Sequence, residues 1–332
     1  MLRNKTGLLK VVLEAREEKL GRLELVRHDE VTWVDIVKPT NEDIGILAKH
    51  YPFHRLNLED CLSKIQLTKI EDHADYLFLI LHYPTFSNQA GVVLSSQLSI
   101  FLGNNYLVTI HQGDLKPLVE MFQACNNGEH QRQSLMSKGS SYLLYHIIDA
   151  LVDDLFPILD RTMHNLADIE DNVYDQRVDT VREVTLLRRQ IADLRRAISP
   201  LMRVKKELAM KAQRFARSEL APYFSDVNDH IEKVWESLEE CKETIEIYKD
   251  TEHMLNTEKS NKILSALTIL FTLSIPATVL GTFYGMNINL PGGVETGAWA
   301  FFGRYTTLLL VISGSAIPTL IMIWLFRRYG WV

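Results

Sequence analysis

Two uncharged runs of 22 positions dominate the hydrophobic pattern of this chain, Ile263 to Tyr284 and Tyr305 to Phe326. Each spans about 33 Å as a helix at ~1.5 Å per residue, which suits a hydrocarbon core of roughly 30 Å. Both are read as membrane spans, joined by a short Gly-rich link from Gly285 to Arg304. Lys259 and Lys262 precede the first run, and Arg327 and Arg328 follow the second. Basic flanks on the two outer ends predict that both termini face the cytosol and the link faces outward. Phe283, Tyr284, Trp299, Phe301, Phe302 and Trp324 stand where interfacial aromatics belong.

A second regularity lies just upstream. Val227, Ile231, Val234, Leu238, Cys241, Ile245, Tyr248, Glu252 and Leu255 step by four and three, with only Glu252 interrupting the apolar stripe. That period predicts a supercoiled helix packed along a partner. Neither Pro nor Gly occurs between Asp226 and Pro276, so the helix is expected to run from a cytosolic stalk directly into the first span. A helix of that length implies an oligomer or a bundle.

The earlier part reads as mixed. Residues 8–13, 31–37, 76–83, 94–102 and 106–111 carry β-branched and aromatic residues between turn residues, and predict strands. Helical patterns are interleaved at Asn41–Tyr51 and Leu115–Cys125, then take over at Ser141–Tyr174 and Thr180–Arg214, with Pro200 a kink candidate. The expected architecture is an α/β cytosolic domain (mixed sheet with helices), a long helical stalk and two C-terminal transmembrane helices. In residue terms these are an α/β domain at 1–135, a helical region at 136–225, the stalk at 226–262, span one at 263–284, the external loop at 285–304, span two at 305–326 and a basic tail at 327–332.

Composition sharpens this division. Within 263–332 the only charged residues are Glu295, Arg304, Arg327 and Arg328. The net charge of −6 and the lack of a basic run exclude a nucleic-acid surface. Cys61, Cys125 and Cys241 are odd in number and widely spaced, which fits a reducing compartment rather than a disulfide or zinc scaffold. The opening residues meet charge too early for a signal peptide. GxxxxGK[ST], HExxH and GxSxG are all absent, so neither nucleotide-driven transport nor hydrolytic chemistry is expected, and no enzyme is read here.

Chemistry concentrates instead on the first span. Asn261, Ser265, Thr268, Thr272, Ile275, Val279 and Thr282 form a stripe stepping by four and three, with Thr278 one position off it. Hydroxyls on one face can line a wet path; equally, Ser and Thr can bond their own backbone or a neighbouring helix. The run ends in Phe283-Tyr284-Gly285-Met286-Asn287, before Leu290-Pro291-Gly292-Gly293.

These features, together with "TWVDI" at 32–36, "LNLED" at 56–60, "KIEDHADYLFLIL" at 69–81, "YLLYHIIDALVDD" at 142–154 and "PYFSDVNDH" at 222–230, make the chain closely resemble the CorA family of magnesium channels over essentially its full length. The resemblance implies a homopentamer in the cell (inner or plasma) membrane that admits Mg²⁺, together with Co²⁺ and Ni²⁺, down the membrane potential. It implies a selectivity filter at Gly285, Met286 and Asn287. Neutral Asn287 oxygens would hold the hydrated ion through its waters, weakly enough for release; a glycine C-cap is the plainer alternative for Gly285. Position by position it also implies a polar ring at Asn261, an apolar constriction at Leu264, Leu267 and Ile275, and pore-facing or near-pore hydroxyls at Thr268, Thr272, Thr278 and Thr282. Ordinary span packing is the alternative for the leucines.

Closure by cytosolic Mg²⁺ is implied for Glu59, Asp60 and Asp226, with helix capping the alternative for the two aspartates. Asn41, Glu42, Asp43, Asp149, Asp153, Asp154, Glu170 and Asp171 are read as solvated helix faces or caps. One departure is that the loop after the motif carries a single acid, Glu295. A Gly-Pro-Gly-rich loop also occurs in the zinc-linked ZntB branch, so a zinc carrier is the runner-up. A membrane-anchored coiled-coil assembly without transport is the third reading.

Overall fold

The computed structural model describes residues 19–20, 23–63, 66–87, 92–173, 181–286 and 303–330. The strand expected at 8–13 lies outside them. Seven strands form one sheet: β1 (Lys19–Leu20), β2 (Leu23–His28), β3 (Val31–Val37), β4 (Lys69–Asp72), β5 (Tyr76–Ser87), β6 (Val92–Gly103) and β7 (Tyr106–His111). Their order is β1-β2-β3-β7-β6-β5-β4. The β3–β7 pair is parallel, from Thr32 opposite Tyr106 to Val37 opposite His111, and the other pairs are antiparallel. This is the mixed sheet expected from the sequence.

The apolar run in β5 follows from burial on both faces. Leu77, Leu79 and Leu81 point to one core and Phe78 and Ile80 to the other, as the two-residue period of a strand requires. Helices α1 (Asn41–His50) and α2 (Arg55–Leu62) cover the second face through Ile44, Leu47, Leu58 and Cys61. Thr40 starts α1 with a capping box: its side chain accepts from the Asp43 amide while the Asp43 carboxylate accepts from the Thr40 amide at 2.9 Å.

On the opposite face lie α3 (Lys116–Asn127), α4 (Glu129–Met136), α5 (Ser140–Asp153), α7 (Val181–Ala212) and the start of α8 (Ala221–Gly285). Leu143 and Ile147 of α5, Leu201 and Leu208 of α7, and Phe224, Val227 and Ile231 of α8 share one core with the sheet. The region expected as one helix from Ser141 to Tyr174 is two, α5 and α6 (Leu155–Val173), separated at Asp154.

The heptad stripe has its partner within the chain. Val234, Leu238, Cys241, Ile245 and Tyr248 are buried against Val184, Leu187, Ile191 and Leu194 of α7 and Leu159 and Leu166 of α6. Beyond Tyr248 the stripe residues Glu252 and Leu255 are only half-buried. Ion pairs flank the seam, Arg188 with Glu246 at 2.5 Å, Arg195 with Glu239 and Lys205 with Glu232. Their numbers fall along α7 as they rise along α8, so the two helices run antiparallel. This compact unit reaches Lys249, and a second begins at Asp250.

In the second unit, α8 continues without interruption through Pro276 to Gly285, and α9 (Thr306–Arg328) follows. Both are long and apolar enough to cross a membrane, and their most apolar windows are exposed in a single chain. Gly314 of α9 brings the helices close: a Cβ there would meet Leu280 at 3.0 Å. Thr319 Oγ1 stands 3.5 Å from the Leu273 carbonyl.

Candidate ion path and acidic sites

Leu273 and Leu280 mark the face of α8 turned toward α9. Helical spacing of 3.6 residues per turn then puts Leu264, Leu267, Thr268, Ile275, Thr278 and Thr282 on the side away from α9. All six are exposed in the single chain, as is Asn261, and Thr272 is half-buried. Thr268, Thr278 and Thr282 each donate to the carbonyl four residues earlier, at 2.7, 2.9 and 2.7 Å. The back-bonding read as an alternative is therefore present. It uses the hydroxyl proton and leaves oxygen lone pairs outward, which suits water or a cation as the next partner.

Gly285 is the last helical residue, and the Met286 amide donates to the Phe283 carbonyl at 3.2 Å. Gly285 is not among the residues with positive φ, and a Cβ there would meet nothing within 4 Å. Neither a left-handed turn nor a close contact within the chain accounts for the glycine. Met286 is exposed. Asn287, the rest of the motif loop and Glu295 lie outside the described residues.

The carboxylates singled out in the first unit fall into two places. Asp60 is the sixth residue of α2, whose N-cap is His54, so it is not a cap. Near the C-terminal end of a helix an acid opposes the dipole, and Lys69 compensates, its Nζ 2.7 Å from Asp60 Oδ2 and also bonded to Glu71. Gln66 donates to the other Asp60 oxygen at 2.9 Å. Burial works against the Lys69 ammonium, but its bonds to Asp60 and Glu71 outweigh this and hold its pKa above the ordinary lysine value. Glu59 is exposed and pairs with Arg55 at 2.8 Å.

Asp226 lies elsewhere, as the sixth residue of α8, and is likewise not a cap. Asp149 of α5 and His230 of α8 meet it, with one ligand atom of each within 4.8 Å of the others. His230 Nδ1 is 3.6 Å from Asp153. Burial first, then the charges of Asp153 and Asp226, push the Asp149 carboxyl above its usual range, with His230 opposing. Such a group gains from a nearby cation. Asp149 is thus not merely a solvated helix position, whereas Asp153, the last residue of α5, is exposed as the sequence predicts. Spacings of four residues, Asp149–Asp153 and Asp226–His230, are visible in the sequence, but nothing in it says that the two helix faces meet. The structure does not gather Glu59 and Asp60 into this cluster.

A model of the CorA-like Mg²⁺ transporter protein family matches residues 28–328. The chain belongs to that family. The putative metal ion transporter YfjQ of Bacillus subtilis is 28% identical over 314 residues, covering 90% of this chain and 89% of the relative. The cobalt/magnesium transport protein CorA of Thermotoga maritima is 28% identical over 306 residues, covering 91% and 83%. The complete structure of the CorA magnesium transporter from Methanocaldococcus jannaschii superimposes with a TM-score of 0.75 at 21% identity, covering 92% and 94%, and carries the fold. The CorA family is one of membrane transporters, and the two exposed apolar helices of this member accord with that.

Proposed function

We propose that the chain is the subunit of a homopentameric channel that admits Mg²⁺, and with it Co²⁺ and Ni²⁺, down the membrane potential, with both termini in the cytosol. The observation that carries this reading is the Gly285-Met286-Asn287 motif at the far end of a helix running unbroken from the cytosolic unit. Five copies of α8 would present the face opposite α9 to a common axis, with Thr268, Thr272, Thr278 and Thr282 as oxygen ligands for water. Leu264, Leu267 and Ile275 would form an apolar constriction that closes by dewetting, and Asn261 a polar ring at the cytosolic mouth. A divalent ion crossing 100 mV gains about 4.6 kcal/mol, so no other energy source is required.

Cytosolic Mg²⁺ would close the channel by binding at Asp226, with Glu59 and Asp60 of an adjacent copy completing the site. The raised Asp149 carboxyl beside Asp226 supports a cation there. Loss of the ion would leave like charges to repel and move α8.

The deciding experiment is flux of Mg²⁺ and Zn²⁺ into proteoliposomes, with Asn287→Ala beside the unmodified protein and with and without a pH gradient. Potential-driven Mg²⁺ entry that the substitution abolishes is the expected result. Zinc entry that follows the proton gradient, with little Mg²⁺, would assign the chain to the zinc branch. Unchanged fluxes of every ion in the Asn287 variant would leave a non-transporting assembly.

A further inference from the structure

Two helix faces meet within the second unit. Leu273, Pro276 and Leu280 are half-buried on α8, as are Val311, Ser315 and Pro318 on α9. Each set recurs at the three- and four-residue spacing of a single helix face. Gly314 belongs to the α9 face, three residues after Val311 and four before Pro318. A Cβ added there would meet Leu280 Cδ1 at 3.0 Å, so the leucine methyl takes the room that any other side chain at 314 would need. Gly314 is not among the glycines with positive φ, and glycine weakens a helix interior. Close approach, rather than backbone conformation, accounts for it.

The place of this notch along α8 gives it a consequence. Thr278 and Thr282 flank Leu280 in sequence and lie on the side away from α9, and Gly285 ends the helix five residues on. Pro276 has no N–H to bond the Thr272 carbonyl, so α8 lacks one helical hydrogen bond a turn before Leu280. The turns beyond Pro276 are therefore the easiest part of this helix to displace. Two contacts with α9 bracket the proline: Thr319 Oγ1, 3.5 Å from the Leu273 carbonyl, lies before it and the Gly314 notch after it. Added bulk at 314 would push the Leu280 turn away from α9, and with it Thr278 and Thr282.

We propose that Gly314 is a positioning residue for ion passage: the notch seats Leu280 and so fixes how far the segment from Thr278 to Gly285 stands from the common axis. This deepens, and rests on, the reading of α8 as the wall of the ion path.

The test is potential-driven Mg²⁺ uptake by the full-length protein in proteoliposomes, with equal amounts of each variant reconstituted. Gly314→Ala should lower the maximal rate a few-fold and Gly314→Val about tenfold, with the half-inhibitory Mg²⁺ level inside the vesicles unchanged. Leu280→Ala vacates the space, so adding it to Gly314→Val should restore the rate to within about threefold of the unmodified protein. Ala316→Val, about 200° around α9 from Gly314, should have no effect. Should Gly314→Val fail to reach the bilayer, Gly314→Ala with and without Leu280→Ala takes its place. Unmodified rates in the Gly314 variants, or a loss that Leu280→Ala does not relieve, would overturn the role of Gly314 and leave the channel reading intact. A loss accompanied by a lower half-inhibitory level would overturn it too, because the effect would then lie in closure. Absence of Mg²⁺ uptake by the unmodified protein would remove the channel reading itself.

Discussion

His230 and Asp226 lie one turn apart on α8, with the imidazole Nε2 4.0 Å from a carboxylate oxygen, and together they face Asp149 of α5. Three ligands, two carboxylates and an imidazole, thereby converge from two helices on one point of the first unit. If a divalent cation occupies it, binding stabilises the folded chain by mass action, by about 2.7 kcal/mol at one hundred times the dissociation constant. For a unit of this size that is on the order of 5–10 °C in thermal midpoint. Asp149→Asn and Asp226→Asn should each remove most of the Mg²⁺-dependent shift in a thermal unfolding series. A full shift in both variants would show that the ion binds elsewhere.

Asp60 already has a cation, Lys69 at 2.7 Å. Any divalent ion that uses Asp60 must compete with that ammonium or share the carboxylate with it. Lys69→Gln keeps a hydrogen-bond donor and removes the charge. Closure by cytosolic Mg²⁺ should then occur at severalfold lower concentration, read as the half-inhibitory Mg²⁺ level in flux from vesicles of defined interior. An unchanged or higher level would mean that Asp60 does not contact the regulatory ion.

Much of this architecture is legible in the amino-acid pattern, for identifiable reasons. β3, β5 and β7 are largely buried on both faces, so their apolar runs are long and bounded by turn residues, and β6 shows as an alternating pattern. The spans announce themselves because the bilayer allows no charge over 22 positions. β2 and β4 were missed: Leu23–His28 and Lys69–Asp72 mix charge with apolar residues near the edges of the sheet. Helix α2 was missed too, since Arg55–Leu62 is short and has little apolar periodicity. The heptad stripe was read correctly as a packing face, but only the fold shows α6 and α7 as its cover. Asp149 and His230 could not be paired from sequence, because the contact depends on how α5 crosses α8. The Lys69–Asp60 pair joins a helix end to a strand and leaves no periodic trace.

The seam between α7 and α8 separates two kinds of contribution. Leu238 is 1% exposed among Cys241, Ile245 and α7 side chains, so Leu238→Ala removes buried volume and leaves a cavity, at a cost of about 2–5 kcal/mol. Arg188, paired with Glu246, is over half exposed, and such pairs contribute about 0–1 kcal/mol. Denaturant unfolding of the full-length protein should show a large loss for the first variant and a small one for Arg188→Ala. Equal losses would mean that the charge ladder, rather than the apolar stripe, holds the hairpin.

Acid should weaken the first unit through two histidines. Burial lowers the pKa of His82, and burial together with the nearby Lys138 charge lowers that of His146, both from 6.5. A histidine depressed in the fold stays neutral there while its unfolded counterpart charges. Its contribution to stability is therefore complete above about pH 6.5 and is lost as pH falls below that value toward the folded pKa. His146 is the more exacting case, because its Nε2 is buried without a partner and a proton added there finds no acceptor. Its ring packs between Tyr142 and Tyr145, a setting in which phenylalanine keeps the contacts and cannot titrate. The thermal midpoint should drop between pH 7.5 and 5.5, and His146→Phe should make that drop shallower by a few degrees while leaving the value at pH 7.5 nearly unchanged. Parallel curves for the two proteins would exclude His146 as a source of the acid sensitivity and leave His82 as the remaining histidine of the pair to substitute.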